Sequence, residues 1–373
     1  MRYVVLCLGR RLGAVLGIAA LAALPAGFAL AADAAASVVP IHVFHGVHHG
    51  PTAPTGSLLA ASNGALYGLT AHGGPYDDGT VFRIDADGAY STVATFTPIE
   101  GAEPVGGLVE LDGVFYGVTN HGGEHGIGSV FALNPDGTRR IVFSFDPGWG
   151  GNPTSGLLRT SDGSLYGLLF GLVYRIDPQG DFFPIVDLYN GADSFGIPMV
   201  QGADGALYVQ QTGARTAMLR VGRQGRVSTV YEFPFPEYPI AMTVGSDGQF
   251  YETSFIANDS TACLVFSRID LKGRRETLGQ FPCNPLESPL PGLVEGSDGR
   301  FHGALTFEGS DFNTHYALFG LGRDGSLETE NMPRRAGKLP GPLTEGPDGF
   351  FYGIGAEGGK YGNGTVFRAL PLP

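Results

Sequence analysis

The groups in this 373-residue chain that could do chemistry are its nine histidines and the carboxylates that travel with them. His72 is followed by Gly73-Gly74 and Asp77-Asp78, and His121 by Gly122-Gly123 and Glu124-His125. Farther on Asp311 precedes His315, and Glu357 precedes Lys360. An imidazole beside a carboxylate can move a proton near neutrality, bond a ligand hydroxyl or help to hold a cation. Acid–base catalysis needs two carboxylates placed by the fold, and Asp77-Asp78 with Glu124 is the notable acidic grouping; adjacent acids on a glycine-rich loop equally suit a solvated loop. Duplication offers a plainer account of His72 and His121, since both sit in a Thr-x-His-Gly-Gly turn that a repeat would copy.

Other candidates carry less. His42 and His45 fall on opposite faces of a strand, so they cannot chelate together without a bend, and His48-His49 has no evident supporting partner. No spacing matches a zinc motif. The Gly-Gly pairs do not open helices, which argues against a phosphate cradle. Trp149, just before Gly150-Gly151, could stack on a sugar or pack between structural units. These residues assign no catalytic group, metal or cofactor; a weakly held divalent cation is the one ion the acidic loops leave open.

The elements that must position these loops repeat. Asn63-Gly64, Asp112-Gly113, Asp162-Gly163, Asp204-Gly205, Asp247-Gly248, Asp298-Gly299 and Asp348-Gly349 each separate an apolar segment from an aromatic one. Such dipeptides supply the positive φ of hairpin turns, so their recurrence predicts antiparallel hairpins. Tyr67, Tyr116, Tyr166, Tyr208, Tyr251, His302 and Tyr352 mark the second strand of each unit at intervals of 42 to 51 residues. That period suits a four-stranded propeller blade. The sequence therefore predicts an all-β fold, a seven-bladed β-propeller of four-stranded antiparallel blades at about 54–96, 104–145, 153–188, 195–233, 238–281, 290–332 and 339–370.

A second turn class occurs six times, at Asp87-Gly88, Asp136-Gly137, Gln179-Gly180, Gln224-Gly225, Lys272-Gly273 and Asp324-Gly325. The seventh unit ends after Thr365-Val366-Phe367-Arg368 without a fourth strand. Val38 to Gly46 has the character of one, so the segment 38–46 is expected to complete the last blade and close the ring. Closure matters because an open array leaves unpaired strand edges.

Bulk properties bound the setting. Arg2, Arg10 and Arg11, the apolar run Leu12 to Leu24, and Ala29-Leu30-Ala31 read as an export signal over residues 1–31, with a single propeller domain over 32–373. Removing it takes away three arginines and no acid, moving the net charge from -13 to -16. Such a surface excludes nucleic acid as a partner and favours solubility, with no membrane contact after cleavage. The chain is expected to be secreted or periplasmic, and monomeric. Cys263 and Cys283 remain after cleavage, equidistant from Gly273, and are expected to form a disulfide.

Leu66-Tyr67-Gly68, Thr70 with Gly73-Gly74, and Gly79-Thr80-Val81-Phe82, together with their counterparts in units two and seven, resemble the GloVer tandem-repeat proteins. The resemblance spans about Pro54 to Arg368 and implies an exported repeat fold; it assigns no activity. Val209 and Glu252 depart from it by replacing the glycine of the second strand. The leading expectation is a non-enzymatic scaffold binding a glycan, small molecule or protein through the loops between second and third strands, with His72, Asp77, Asp78, His121, Glu124, His125, Asp311 and His315 as candidate contacts. Two alternatives stand beside it: an envelope protein with a structural role, and an enzyme similar in fold to the streptogramin lyases, propellers that use histidine, glutamate and magnesium.

Overall fold

The computed structural model describes residues 37–46, 48–149, 152–153, 155–188, 199–213, 215–258, 261–281, 288–308 and 314–372. Seven antiparallel sheets follow one another in chain order. Blade 1 comprises Thr52–Ala60, Leu66–His72, Thr80–Ile84 and Tyr90–Thr95, paired in that order from the central axis outward. Blades 2 to 6 repeat this meander. In blade 7 the innermost position is shared by Lys338–Pro340 and Thr344–Glu345, followed by Phe351–Glu357 and Thr365–Ala369.

The fourth strand of blade 7 is Val38–Val43, antiparallel to Thr365–Ala369, with Val38 opposite Ala369 and Val43 opposite Thr365. The seven-bladed ring thus closes through its N-terminal strand. Phe44, 1% exposed, then packs edge-on against Phe82 of blade 1 at 5.4 Å. Phe96 meets Phe131 at 4.9 Å and Phe145 meets Tyr174 at 5.5 Å in the same way across the next two seams. The closing seam is therefore built like its neighbours. Losing a buried phenyl of this kind costs about 3–5 kcal/mol.

The recurrent glycine of the second strand has a packing reason. Gly68, Gly117, Gly167, Gly303 and Gly353 lie directly opposite Phe82, Phe131, Tyr174, Phe319 and Phe367 of the third strand. Each ring lies across its glycine, so a Cβ on Gly117 would stand 2.4 Å from the Phe131 ring. Blades 4 and 5 change both partners: Val209 opposes Leu219, and Glu252 opposes Ser267. Where the ring shrinks, the glycine is free to grow.

The Asx-Gly turns are of two kinds. At Asn63-Gly64 only the glycine has positive φ, and the N–H of Gly64 donates to the carbonyl of Ala61 at 2.9 Å in a three-residue loop. In blade 2 both Asp112 (φ 52°) and Gly113 (φ 78°) are left-handed, giving the two-residue hairpin that the dipeptide predicts. The second-strand tyrosine stabilises the turn four residues back: Tyr251 donates to Asp247 at 2.8 Å and Tyr352 to Asp348 at 2.7 Å. His302 takes the tyrosine's place, with Nε2 2.9 Å from Asp298. Turns of neighbouring blades are clasped together. Backbone N–H groups of Ser62, Ser161 and Ser297 donate to Glu110, Gln201 and Glu345 of the following blade at 2.8, 2.8 and 2.9 Å.

Two predictions follow from these seams. Gly117→Ala should destabilise the fold by about 1–3 kcal/mol through overpacking, and pairing it with Phe131→Leu, which copies the blade 4 solution, should recover part of the loss. Additive losses in urea unfolding would refute the compensation. The second concerns His42, which stacks on Tyr90 at 3.8 Å in the closing seam. Burial, then nearby His45, lower its pKa from 6.5 to about 4. Between those values the unfolded chain binds more protons, so this contribution is intact above about pH 6.5 and is lost as pH falls to about 4. His42→Phe should give a shallower fall in melting temperature over that range, and an unchanged slope would remove His42 from the account.

Candidate functional site

The meander divides the ring into two faces. The Asx-Gly turns occupy one, and the loops between second and third strands share the other with the crossovers between blades. The loop face receives His72, Asp77, Asp78, His121, Glu124 and His125 from blades 1 and 2, and His315 from blade 6. Asp311 lies outside the described residues, as do residues 1–36, which include the whole of the expected export signal over 1–31, and Cys283 of the expected disulfide. Cys263 is buried, 2% exposed, in the strand Thr261–Ile269.

Each loop residue is placed by local geometry. His72 ends its strand opposite Thr52 and is exposed. Asp77, in the left-handed region at φ 63°, accepts the N–H of Gly73 at 2.8 Å and so closes its own loop. Asp78 turns toward blade 2, where its carbonyl accepts the N–H of Glu103 at 2.9 Å. Glu103 is the second residue of the innermost strand of blade 2, Ala102–Leu111, and its carboxylate lies 3.2 Å from Nδ1 of His121. Asp78, Glu103 and His121 therefore meet at the seam between blades 1 and 2. One carboxyl oxygen of Asp78 is shut from solvent without a hydrogen-bond partner. Burial, then Asp77 and Glu103, raise the Asp78 pKa above its ordinary value.

The remaining candidates stand apart from that seam. His125 approaches Asp146 at 3.9 Å in the crossover toward blade 3, and the backbone N–H of Glu124 donates to Ser144 at 3.2 Å. Glu124 also borders a shallow hollow with Ile99, Ile141 and Phe143. His315, half-buried, sits opposite Phe307 in blade 6. Among the described residues no three histidine, cysteine or acidic side chains converge as a metal site. Trp149 packs on Phe182 of blade 3 at 5.2 Å. His45 and His42 likewise engage rings, Tyr361 at 4.2 Å and Tyr90 at 3.8 Å.

The central channel has a different character. A cavity of about 440 Å³ runs between the innermost strands, with Ser57, Leu157, Met199, Met242 and Leu343 in its wall. Among the described residues its lining contains no ionisable side chain. Adjacent inner strands touch through glycine, and a Cβ on Gly106 would fall 1.9 Å from the nitrogen of Gly156. The polar candidates surround the channel's loop-face side without lining it.

Sequence reasoning passed over the most deeply buried charges. Arg275 donates to Glu237 at 3.0 Å and to Glu252 at 2.7 Å, while Ser254 also bonds Glu237. Burial raises the Glu252 pKa to about 7 against the opposing pull of Arg275. A shift of that kind can mark a reactive group. Here Glu252 is 0% and Glu237 5% exposed, and Arg275 is capped by Tyr231 and Phe233 of blade 4, each 5.4 Å away. The cluster is a blade seam. The signal for it in the sequence was Glu252 standing where glycine recurs.

The loop-face seam gives a testable titration. A carboxyl group with a raised folded-state pKa adds stability at low pH and loses it as pH rises through that pKa. Asp78→Asn should therefore raise the melting temperature at neutral pH and leave it unchanged below about pH 3.5, where carboxylates are protonated. Equal effects at both pH values would show that charge at Asp78 does not strain the seam.

The chain superimposes on a catalytically inactive virginiamycin B lyase from Staphylococcus aureus with quinupristin, with TM-score 0.63 and 15% identity over 90% of this chain and 99% of that one. A streptogramin B lyase structure gives TM-score 0.61 at 15% identity, covering 89% and 96%. At this identity the likeness is one of fold. No curated protein matches the chain in sequence. The model of the Gloeobacter/Verrucomicrobia repeat matches residues 27–218, just over half of the chain, and with its tandem units now seen as propeller blades, the chain belongs to that family.

Proposed function

We propose that the chain is an exported, monomeric binding scaffold, without enzymatic activity of its own, that takes its ligand on the loop face. The observation carrying this reading is the half-exposed pair of Glu103 and His121 beside Asp78: the backbone bond from Glu103 to Asp78 recurs from Ala53 to Asn363 at the neighbouring seam, but there alanine and asparagine replace the two carboxylates. Polar side chains on the turn face are engaged in bonds that recur from blade to blade, as in Ser62 with Glu110 and Ser297 with Glu345. Groups held in repeated bonds serve the scaffold, and groups that differ between blades are available for recognition. Export to an oxidising compartment suits a bond between Cys263 and Cys283.

The competing reading is a metal-assisted lyase or hydrolase, favoured by the shared fold with streptogramin lyases. It calls for magnesium-dependent turnover of a substrate such as quinupristin, abolished by His121→Ala. The binding reading expects no such turnover. It expects a saturable ligand from a glycan, metabolite or secreted-protein panel, with affinity lost on combined His121→Ala and Glu124→Ala substitution and kept in Glu110→Gln on the turn face. A panel without any saturable ligand would instead favour a structural role in the envelope.

A further inference from the structure

The exposed aromatic rings of the described residues all stand on the loop face. Phe235 is 88% exposed, Tyr76 63%, Phe170 54%, Tyr361 44% and Trp149 39%. Tyr76, Phe170 and Tyr361 occupy the loops between second and third strands of blades 1, 3 and 7, while Trp149 and Phe235 lie in the crossovers leaving blades 2 and 4. The loop face also exposes one aliphatic side chain, Ile99 at 77% in the crossover leaving blade 1, and the remaining large exposed side chains of the described residues, Ile141, Val227, Leu271 and Leu370, are aliphatic too. Among the described residues, aromatic exposure is thus confined to one side of the ring.

Phe170 adds an independent sign. It takes the first position of a two-residue turn with φ 46°, followed by Gly171 at 97°. Asn or Gly adopts that conformation readily, and a bulky residue there is an outlier. The chain keeps a ring where both turn chemistry and water disfavour it, the kind of strain that collects at functional positions. Neighbours back several of the rings: His45 at 4.2 Å and Lys360 at 5.1 Å flank Tyr361, and Phe182 lies 5.2 Å from Trp149.

We propose that the loop face is an adsorption surface for an uncharged polysaccharide. The aromatic rings stack on the apolar C–H faces of sugar residues, while Asp77, Glu124, His72 and His121 bond hydroxyl groups beside them. This rests on the loop-face reading above and names its ligand class. Three features favour this ligand. The rings stand singly on separate blades, whereas a protein partner is gripped through a continuous desolvated core. A polymer that presents the same face at regular intervals rewards separated weak contacts through effective concentration. The net charge of -13 repels polyanions such as nucleic acid and anionic lipid, leaving a neutral chain as the fitting partner.

The test is depletion of the protein from solution by microcrystalline cellulose, chitin and curdlan, with phosphatidylglycerol vesicles and a lysozyme-coated resin as rival surfaces. Saturable depletion by at least one polysaccharide is expected. Tyr76→Ala, Phe170→Gly, Phe235→Ala and Tyr361→Ala should each weaken it by roughly threefold to tenfold and together abolish it, while Leu271→Ser on the turn face leaves it unchanged. Tyr76→Ala, at the exposed tip of its loop, is read alone as well, so the proposal stays testable if the combined variant fails to fold. No depletion by any polysaccharide, or depletion that the combined variant retains, overturns the proposal. If vesicles or the protein resin are bound instead and the combined variant loses them, the ligand class falls and the loop-face reading stands. If no bound surface depends on these rings or on His121 and Glu124, both fall.

Discussion

A phenyl ring laid across a glycine is the contact on which this architecture turns. Strand pairing fixes each blade internally, but the ring of blades is held by what fills the seams. Opposite each second-strand glycine the third strand carries an aromatic side chain that no larger neighbour would admit. That side chain then meets the aromatic ending the preceding blade, as Phe82 meets Phe44 and Phe131 meets Phe96. Closure follows from the same contact. The N-terminal strand can replace a missing fourth strand because Phe44 brings the ring that blade 1 requires.

Much of this was legible in the residues. Regular Asx-Gly dipeptides marked seven hairpins, and the second turn class, one short, pointed to the segment 38–46, within which the closing strand forms at Val38–Val43. The glycine of Leu-Tyr-Gly was visible as a motif, but its cause was not, because the ring that needs it lies across the strand pair, 14 residues away at Phe82. The clasp of Ser62 to Glu110 was hidden for the same reason, since its partners are separated by 48 residues and belong to different blades. Turn chemistry is local and can be read directly; seam chemistry depends on register and on which blades are neighbours. The candidate site suffers most from this limit. His121 was singled out by its own loop, whereas Glu103 sits within an ordinary strand and gains meaning only when the fold sets it 3.2 Å away.

The two faces divide the labour of the molecule. On the turn side, serines, carboxylates and tyrosine hydroxyls are used up in bonds that recur around the ring. On the loop side, the glycine-rich loops bond largely to themselves, as Asp77 does to Gly73, and leave side chains free to differ from blade to blade. Recognition needs such variation on rigid supports. A propeller supplies it by keeping one face repetitive.

Blade 5 shows what leaving the pattern demands. With Ser267 in place of the aromatic, the seam toward blade 4 is filled by Arg275, which must bring Glu252 and Glu237 with it as buried hydrogen-bonding partners. Removing one member of such a group strands the others and costs about 3–5 kcal/mol, so the departure is self-enforcing. It also gives two seams opposite dependences on pH. The protonated form of Glu252 is favoured by folding, so its contribution weakens as pH rises toward about 7. Neutral His42 is favoured by folding at the closing seam, so its contribution weakens as pH falls toward about 4. Between these values the two slopes oppose each other. A flat stability profile in the parent protein would therefore reflect cancellation between seams, and their separate contributions emerge only when one of the two groups is replaced.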